Sequence, residues 1–256
     1  MQNLDLLIVS GASRGIGHQI TLDLAHVSKS VLAIGSSQII CSQEFPENTI
    51  KLGLDFENFQ DVESAIIKTV DLRSRLKIGV VLCASQIGEY GGVFESDLRS
   101  WNRLFKINVL GNLALLKAVI NQMPLSTILR VAFFAGGGAA YAYPEFSGYA
   151  MSKVATVRAT ENIGLEFEQK GLNASIVAVA PGAVETEMLA TVLAYGGVVK
   201  TKTDISEPVS FVRRFLLDEI PSQDLNGKFI HVRDNLCQIL DESKNNPDLY
   251  KLRRIQ

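Results

Sequence analysis

Tyr149-Ala150-Met151-Ser152-Lys153 is the stretch of this sequence best suited to moving a proton. Residues four apart share one face of a helix, so the Tyr149 hydroxyl and the Lys153 ammonium can address one point. A phenol with a pKa of about 10 is a poor acid–base group at neutral pH, and a neighbouring cation that favours the phenolate lowers that value. The pair can then exchange a proton with a substrate oxygen. Tyr-x-x-x-Lys also arises by coincidence on solvated helices, so it gains meaning only beside a second motif.

The second motif stands near the N-terminus. Ser10-Gly11-Ala12-Ser13-Arg14-Gly15-Ile16-Gly17 follows the apolar run Leu6-Leu7-Ile8-Val9 and precedes a helical pattern. Gly11 permits a tight turn, Gly15 lets backbone N–H groups approach a pyrophosphate, and Gly17 lets helix and strand pack closely. The helix N-terminus adds partial positive charge at the phosphates. Turn glycines without a ligand share this pattern, but the strand before and the helix after are the context a dinucleotide site requires.

The segments that must position these groups alternate. Short apolar runs predict strands at 6–9, 31–34, 50–54, 78–83, 129–134, 174–180 and 228–232. Helical spacing predicts helices at 15–26, 62–72, 98–123, 148–170 and 208–217. Such alternation means crossover connections and a parallel sheet, and near-continuous apolar strands mean helices on both faces. The expected fold class is α/β: a single doubly wound Rossmann-type domain over residues 1–240. A charged tail at 241–256 is expected to form a surface arm.

Composition narrows the function. The 256 residues, 47% hydrophobic and 20% charged, suffice to bury a full core. A net charge of −2 gives no reason to expect a nucleic-acid partner. Cys41, Cys83 and Cys237 are scattered, as are His18, His26 and His231, so neither a disulfide framework nor a metal site is expected. The first residues lack the pattern of a secretory leader, and no apolar run reaches the roughly 18 to 20 residues of a membrane helix. A soluble cytoplasmic protein with no membrane partner is the expectation.

The G-x-x-x-G-x-G spacing, with Tyr149 and Lys153 at the expected distance downstream, resembles the short-chain dehydrogenase/reductase family over about residues 6–232. The resemblance implies an NAD(P)-dependent oxidoreductase that transfers a hydride between a nicotinamide cofactor and a small carbonyl or alcohol substrate. It implies Tyr149 as general acid/base, assisted by Lys153 and by Asn108, which would hold a water in the proton relay. Implied cofactor contacts are Gly11, Ser13, Arg14, Gly15, Ile16, Gly17, Ser36, Asp55, Ala84 and Lys153, with Asp55 at the adenine ring. Pro181, Gly182, Val184 and Thr186 add the segment whose threonine would bond the nicotinamide carboxamide. The end of the second strand, Gly35-Ser36-Ser37-Gln38, carries no carboxylate for the ribose hydroxyls of NAD. Arg14 and Ser36 could hold a 2′-phosphate instead, so NADP is expected, with NAD as the alternative. The helices around Trp101–Met123 and Ser147–Lys170 match the family's association faces, which implies a homodimer or homotetramer.

The sequence departs from the family pattern at three places. Gly136 stands where a serine is expected, 13 residues before Tyr149. Such a serine donates to the substrate oxygen, and losing a donor of this kind costs about 2.7 to 4 kcal/mol. Loop N–H groups, or Ser147, Tyr141 or Tyr143, could replace it, and Gly136→Ser is then expected to be tolerated or to raise activity. The alternative is a catalytically impaired NADP-binding or sensor protein of the same fold. Cys83-Ala84-Ser85-Gln86 replaces N-N-A-G, so Cys83 cannot brace the central strand and reads as a small buried hydrophobe. Val232-Arg233-Asp234-Asn235 replaces a glycine pair. Residues 187–202 are expected to form a substrate lid hinged at Gly196-Gly197, with Lys200 and Lys202 drawing an anionic substrate or simply solvated.

Overall fold

Leu7 and Val9 point to one side of the first strand and Leu6 and Ile8 to the other, yet all four are fully buried. A strand with two dry faces needs helices on both. The structure, a computed structural model, describes residues 3–197, 199 and 201–252. In chain order its elements are β1 (Leu6–Ser10), α1 (Gly15–Ala25), β2 (Val31–Gly35), α2 (Ser37–Ile40), β3 (Thr49–Gly53), α3 (Phe59–Thr69) and β4 (Lys77–Leu82). There follow α4 (Leu98–Phe105), α5 (Asn112–Gln122), β5 (Ile128–Phe134), α6 (Gly137–Ala140), α7 (Ser147–Gln169), β6 (Ala174–Ala180), β7 (Ala183–Val184) and α8 (Glu187–Ala194). The described chain closes with β8 (Lys202–Thr203), α9 (Ser206–Leu216), β9 (Lys228–His231) and α10 (Leu236–Asn245).

Seven strands form one sheet in the order β3-β2-β1-β4-β5-β6-β9, every neighbour parallel. This is the doubly wound Rossmann-type arrangement expected from the alternation. One core packs α1 and α9 against Val9, Val81 and Val177, and the other packs α3 and α5 against Ile8, Val80 and Val131. The strand order reverses between β1 and β4, so the loops leaving them diverge and open a crevice at their carboxyl ends. The glycine loop and the Cys83 segment both lie there.

Three expectations change. The helix expected over 98–123 is continuous, but a π-helical turn at Lys106–Gly111 separates α4 from α5. The run Leu98–Gln122 is long and apolar enough to cross a membrane by length and composition, with a mean hydropathy of 1.3 over an 18-residue stretch of it. Charged residues interrupt the run, which hid it from a search for unbroken apolar runs; 56% of that stretch is buried inside the protein, as in a core helix. The tail, expected as a surface arm from 241, starts inside α10 and docks further on. The edge strand β9 leaves unpaired backbone groups. Tyr250 O accepts from Phe229 N there at 2.7 Å, and Arg158 holds Leu252 O at 2.8 Å.

Candidate active site

The glycine loop is shaped by contact with its neighbours. Gly11 has φ +70°, and a Cβ there would sit 2.8 Å from Ala84 N; one on Gly17 would sit 2.4 Å from Gly11 O. Neither position has room for any other residue. A Cβ on Gly15 would lie 3.4 Å from Thr186 Cγ2, so the loop and the segment after β6 meet across the crevice as the motifs require. Ser13 Oγ is buried beside Gly35 without a hydrogen-bond partner, and Ser85 Oγ in the loop leaving β4 is orphaned too. An unsatisfied buried hydroxyl costs about 1 to 3 kcal/mol, and ribose or phosphate oxygens would satisfy it. The cradle therefore fits a dinucleotide.

Cys83 cannot brace the strand end, and two residues that sequence reasoning passed over do so instead. Ser10 Oγ accepts from Cys83 N (2.9 Å) and Ala84 N (3.1 Å) and donates to Asn112 Oδ1 (2.7 Å). Asn112 Nδ2 donates to Ala84 O at 2.9 Å. The available signal was that Asn112 lies four residues after Asn108, on the same helical face. Ser10→Ala leaves buried donors and an amide oxygen unmatched. It is expected to destabilise the protein by about 1 to 3 kcal/mol, read as a shift of the urea midpoint, and to weaken dinucleotide binding.

Tyr149 and Lys153 occupy the first two turns of α7. Lys153 is 2% exposed, donates to Phe134 O at 3.0 Å and holds its Nζ 5.4 Å from the Tyr149 ring centroid. Burial pushes its ammonium down to about 8. Burial also raises the Tyr149 phenol well above its ordinary value, and Tyr143 and Cys83 add to the rise. The expected lowering of Tyr149 by Lys153 is therefore not present. The ammonium faces the ring, spends a proton on a carbonyl and is itself desolvated. Tyr149 is held as an acid. The Cys83 thiol, pushed up to about 11 by burial, stays protonated.

A lysine depressed by folding binds fewer protons than in the unfolded chain between about pH 8 and 10.5, so its share of stability rises with pH there. Wild type is expected to gain on Lys153→Met across that window, as denaturation at stepped pH will test; parallel curves contradict it.

Asn108 sits fully buried in the π-helical turn. Its Oδ1 accepts from Gln86 N (2.8 Å) and its Nδ2 donates to Gln86 O (2.9 Å) and Ser152 Oγ (3.0 Å). Both amide protons are spent on tying the loop after β4 to α7, so the side chain positions the site. Single π-turns recur at functional sites.

A Cβ on Gly136 would lie 3.4 Å from Tyr149 Oη, so this position faces the acid just as the missing serine would. Of the three substitutes, Ser147 Oγ is engaged by Pro144 O at 2.9 Å and Tyr141 is 79% exposed. Tyr143 is partly buried and near enough to Tyr149 to act on its ionisation.

Several of the remaining residues are bonded within the protein. Thr186 caps α8 through Leu189 N (3.4 Å) and donates to Val184 O (3.3 Å). Asp55 caps its own short helical turn at Glu57 N. Arg14 pairs with Glu187 at the start of α8, an exposed contact that sequence spacing could not reveal. Ser36 is exposed before α2, while Ile16 packs on the core. Pro181 and Gly182 carry the turn into β7, where Val184 is buried. Lys202 is paired with Glu185, and Lys200 lies outside the described residues.

Known proteins share this fold. The family model for short chain dehydrogenases matches residues 5–195, and the chain belongs to that family. It is 24% identical over 195 residues to short chain dehydrogenase pigC of Monascus ruber, covering 72% of this chain and 63% of that protein, less than two thirds of the relative's length. It is 22% identical over 256 residues to benzil reductase ((S)-benzoin forming) of Saccharomyces cerevisiae, covering 90% of this chain and 96% of the relative. Among solved structures, a variant of ElxO with NADPH bound superposes with a TM-score of 0.75 at 20% identity, covering 90% of this chain and 97% of that one.

Proposed function

We propose that this protein is an NAD(P)-dependent oxidoreductase, with NADPH preferred, acting on a small carbonyl or alcohol. The observation that carries the reading is the meeting of Tyr149 Oη, the Gly136 position and the buried Lys153 beside a glycine cradle with orphaned hydroxyls. The dinucleotide, when bound, supplies or accepts the hydride. Gly11, Gly15 and Gly17 give it backbone approach, and Ser13 and Ser85 offer unspent hydroxyls. Arg14 exchanges Glu187 for the 2′-phosphate, an easy exchange because exposed pairs are weak in water and salt. Tyr149 delivers its proton to the substrate oxygen. Tyr143 donates the second hydrogen bond to that oxygen in place of the absent serine.

The backbone argues against restoring that serine. Gly136 has φ +152°, a conformation side chains rarely adopt. Contrary to the expectation from sequence, Gly136→Ser should cost about 1 to 3 kcal/mol in stability without raising kcat. Unchanged stability with higher kcat would contradict this.

The missing hydroxyl also favours a second reading, a nucleotide-binding protein that does not turn over. Titration with NADPH, followed by nicotinamide absorbance against a carbonyl panel, separates the two. Oxidation tied to one carbonyl supports the first, and tight binding with no oxidation supports the second. Exposed Leu98, Met151, Val154 and Leu165 on α4 and α7 support self-association as a homodimer or homotetramer.

A further inference from the structure

Four aromatic rings from three separate segments gather at the end of α7 that carries Tyr149. Phe146, the residue before α7, is 1% exposed and forms the floor. Tyr90 and Tyr195 meet it edge-on, at 5.7 Å and 81° and at 6.4 Å and 75°. Tyr143 tilts against it at 5.2 Å and 49°. Tyr90 and Tyr195 stack on each other at 5.0 Å and 12°.

The stacked pair is unusual in its setting. Tyr90 is 48% exposed and Tyr195 is 54% exposed, so two large rings remain half open to water. They come from unequal supports. Tyr90 belongs to a loop pinned by the Gly91 N to Glu145 O bond of 2.7 Å. Tyr195 follows α8 directly and precedes Gly196, whose φ is +81°, so the ring stands next to a left-handed turn. Two half-open rings from separate segments, stacked over an edge-on floor, suit a flat guest.

We infer that the substrate is an aryl ketone, or the aryl carbinol in the reverse direction, whose ring stacks on the half-exposed Tyr90–Tyr195 pair while its oxygen reaches Tyr149 and Tyr143. The inference rests on the oxidoreductase reading above. In the forward step the carbonyl carbon receives a hydride from the reduced nicotinamide dinucleotide, and the C=O π pair moves to oxygen. That oxygen takes the Tyr149 proton, the dinucleotide departs oxidised, and Tyr149 recovers a proton from water.

The test compares flat and puckered rings on the full-length protein. With NADPH, acetophenone is expected to exceed cyclohexyl methyl ketone in kcat/KM by about tenfold, the scale set by two aromatic contacts. Tyr195→Leu should bring the ratio close to one. In parallel, saturation-transfer NMR should detect benzamide but not cyclohexanecarboxamide, and Tyr195→Leu should remove the benzamide signal. A wild-type ratio near one, or a ratio that Tyr195→Leu leaves intact, overturns the inference while the oxidoreductase reading stands. If neither ketone is reduced yet benzamide binds through Tyr195, the aryl slot is supported and the oxidoreductase reading fails. If benzamide does not bind either, the slot is overturned as well.

Discussion

Tyr149→Phe is expected to lower kcat by about 10²- to 10⁴-fold while Kd for NADPH stays within a few-fold of wild type. The substitution removes one oxygen and keeps the ring over which Lys153 sits, so packing at the start of α7 is preserved. What disappears is the proton. Burial holds the Tyr149 phenol protonated, so its proton is in place to be delivered, while the neighbouring Lys153 is engaged by Phe134 O. Steady-state kinetics with separate fluorescence titration of NADPH checks both halves. An equal loss of kcat and of cofactor affinity would instead mark Tyr149 as a structural prop.

Tyr143→Phe is expected to lower kcat by about 10²-fold, at the lower end of what a single oxyanion donor supplies. The position of Gly136 against Tyr149 Oη leaves the substrate oxygen short of one donor. Ser147 is spent on Pro144 O and Tyr141 faces water, which leaves Tyr143. The phenylalanine keeps the ring contact with Phe146, so a loss confined to kcat reports the hydroxyl, whereas a loss confined to KM reports packing. If kcat is unaffected, the first-turn N–H groups of α6 become the donors to test.

The sheet was largely legible because strands buried on both faces are written as unbroken apolar runs, and each of the seven expected strands has its counterpart within a residue or so. The chemistry was legible where it was local: Tyr149 and Lys153 need only helical spacing, and the glycine loop only its flanking strand and helix. What escaped was non-local. Ser10 and Asn112 meet across 102 residues of chain, and Arg14 meets Glu187 across 173. No periodicity encodes such a pairing. Short elements were also lost, since four residues of α2 or α6 carry less than two turns of pattern. α8 could have been found from Thr186, whose hydroxyl caps Leu189 N three residues on. The rise of the Tyr149 pKa was out of reach, because spacing places a cation nearby without saying how dry the pair becomes.

The most direct test follows deuterium from NADPH labelled at the transferring position of the nicotinamide. With an aryl ketone, wild type is expected to place one deuterium on the carbinol carbon for each dinucleotide oxidised. Tyr149→Phe, saturated with the same dinucleotide, should form almost no labelled alcohol. Dinucleotide oxidation that leaves no label in the alcohol, or labelled alcohol formed at the wild-type rate by Tyr149→Phe, would contradict the assignment of this site.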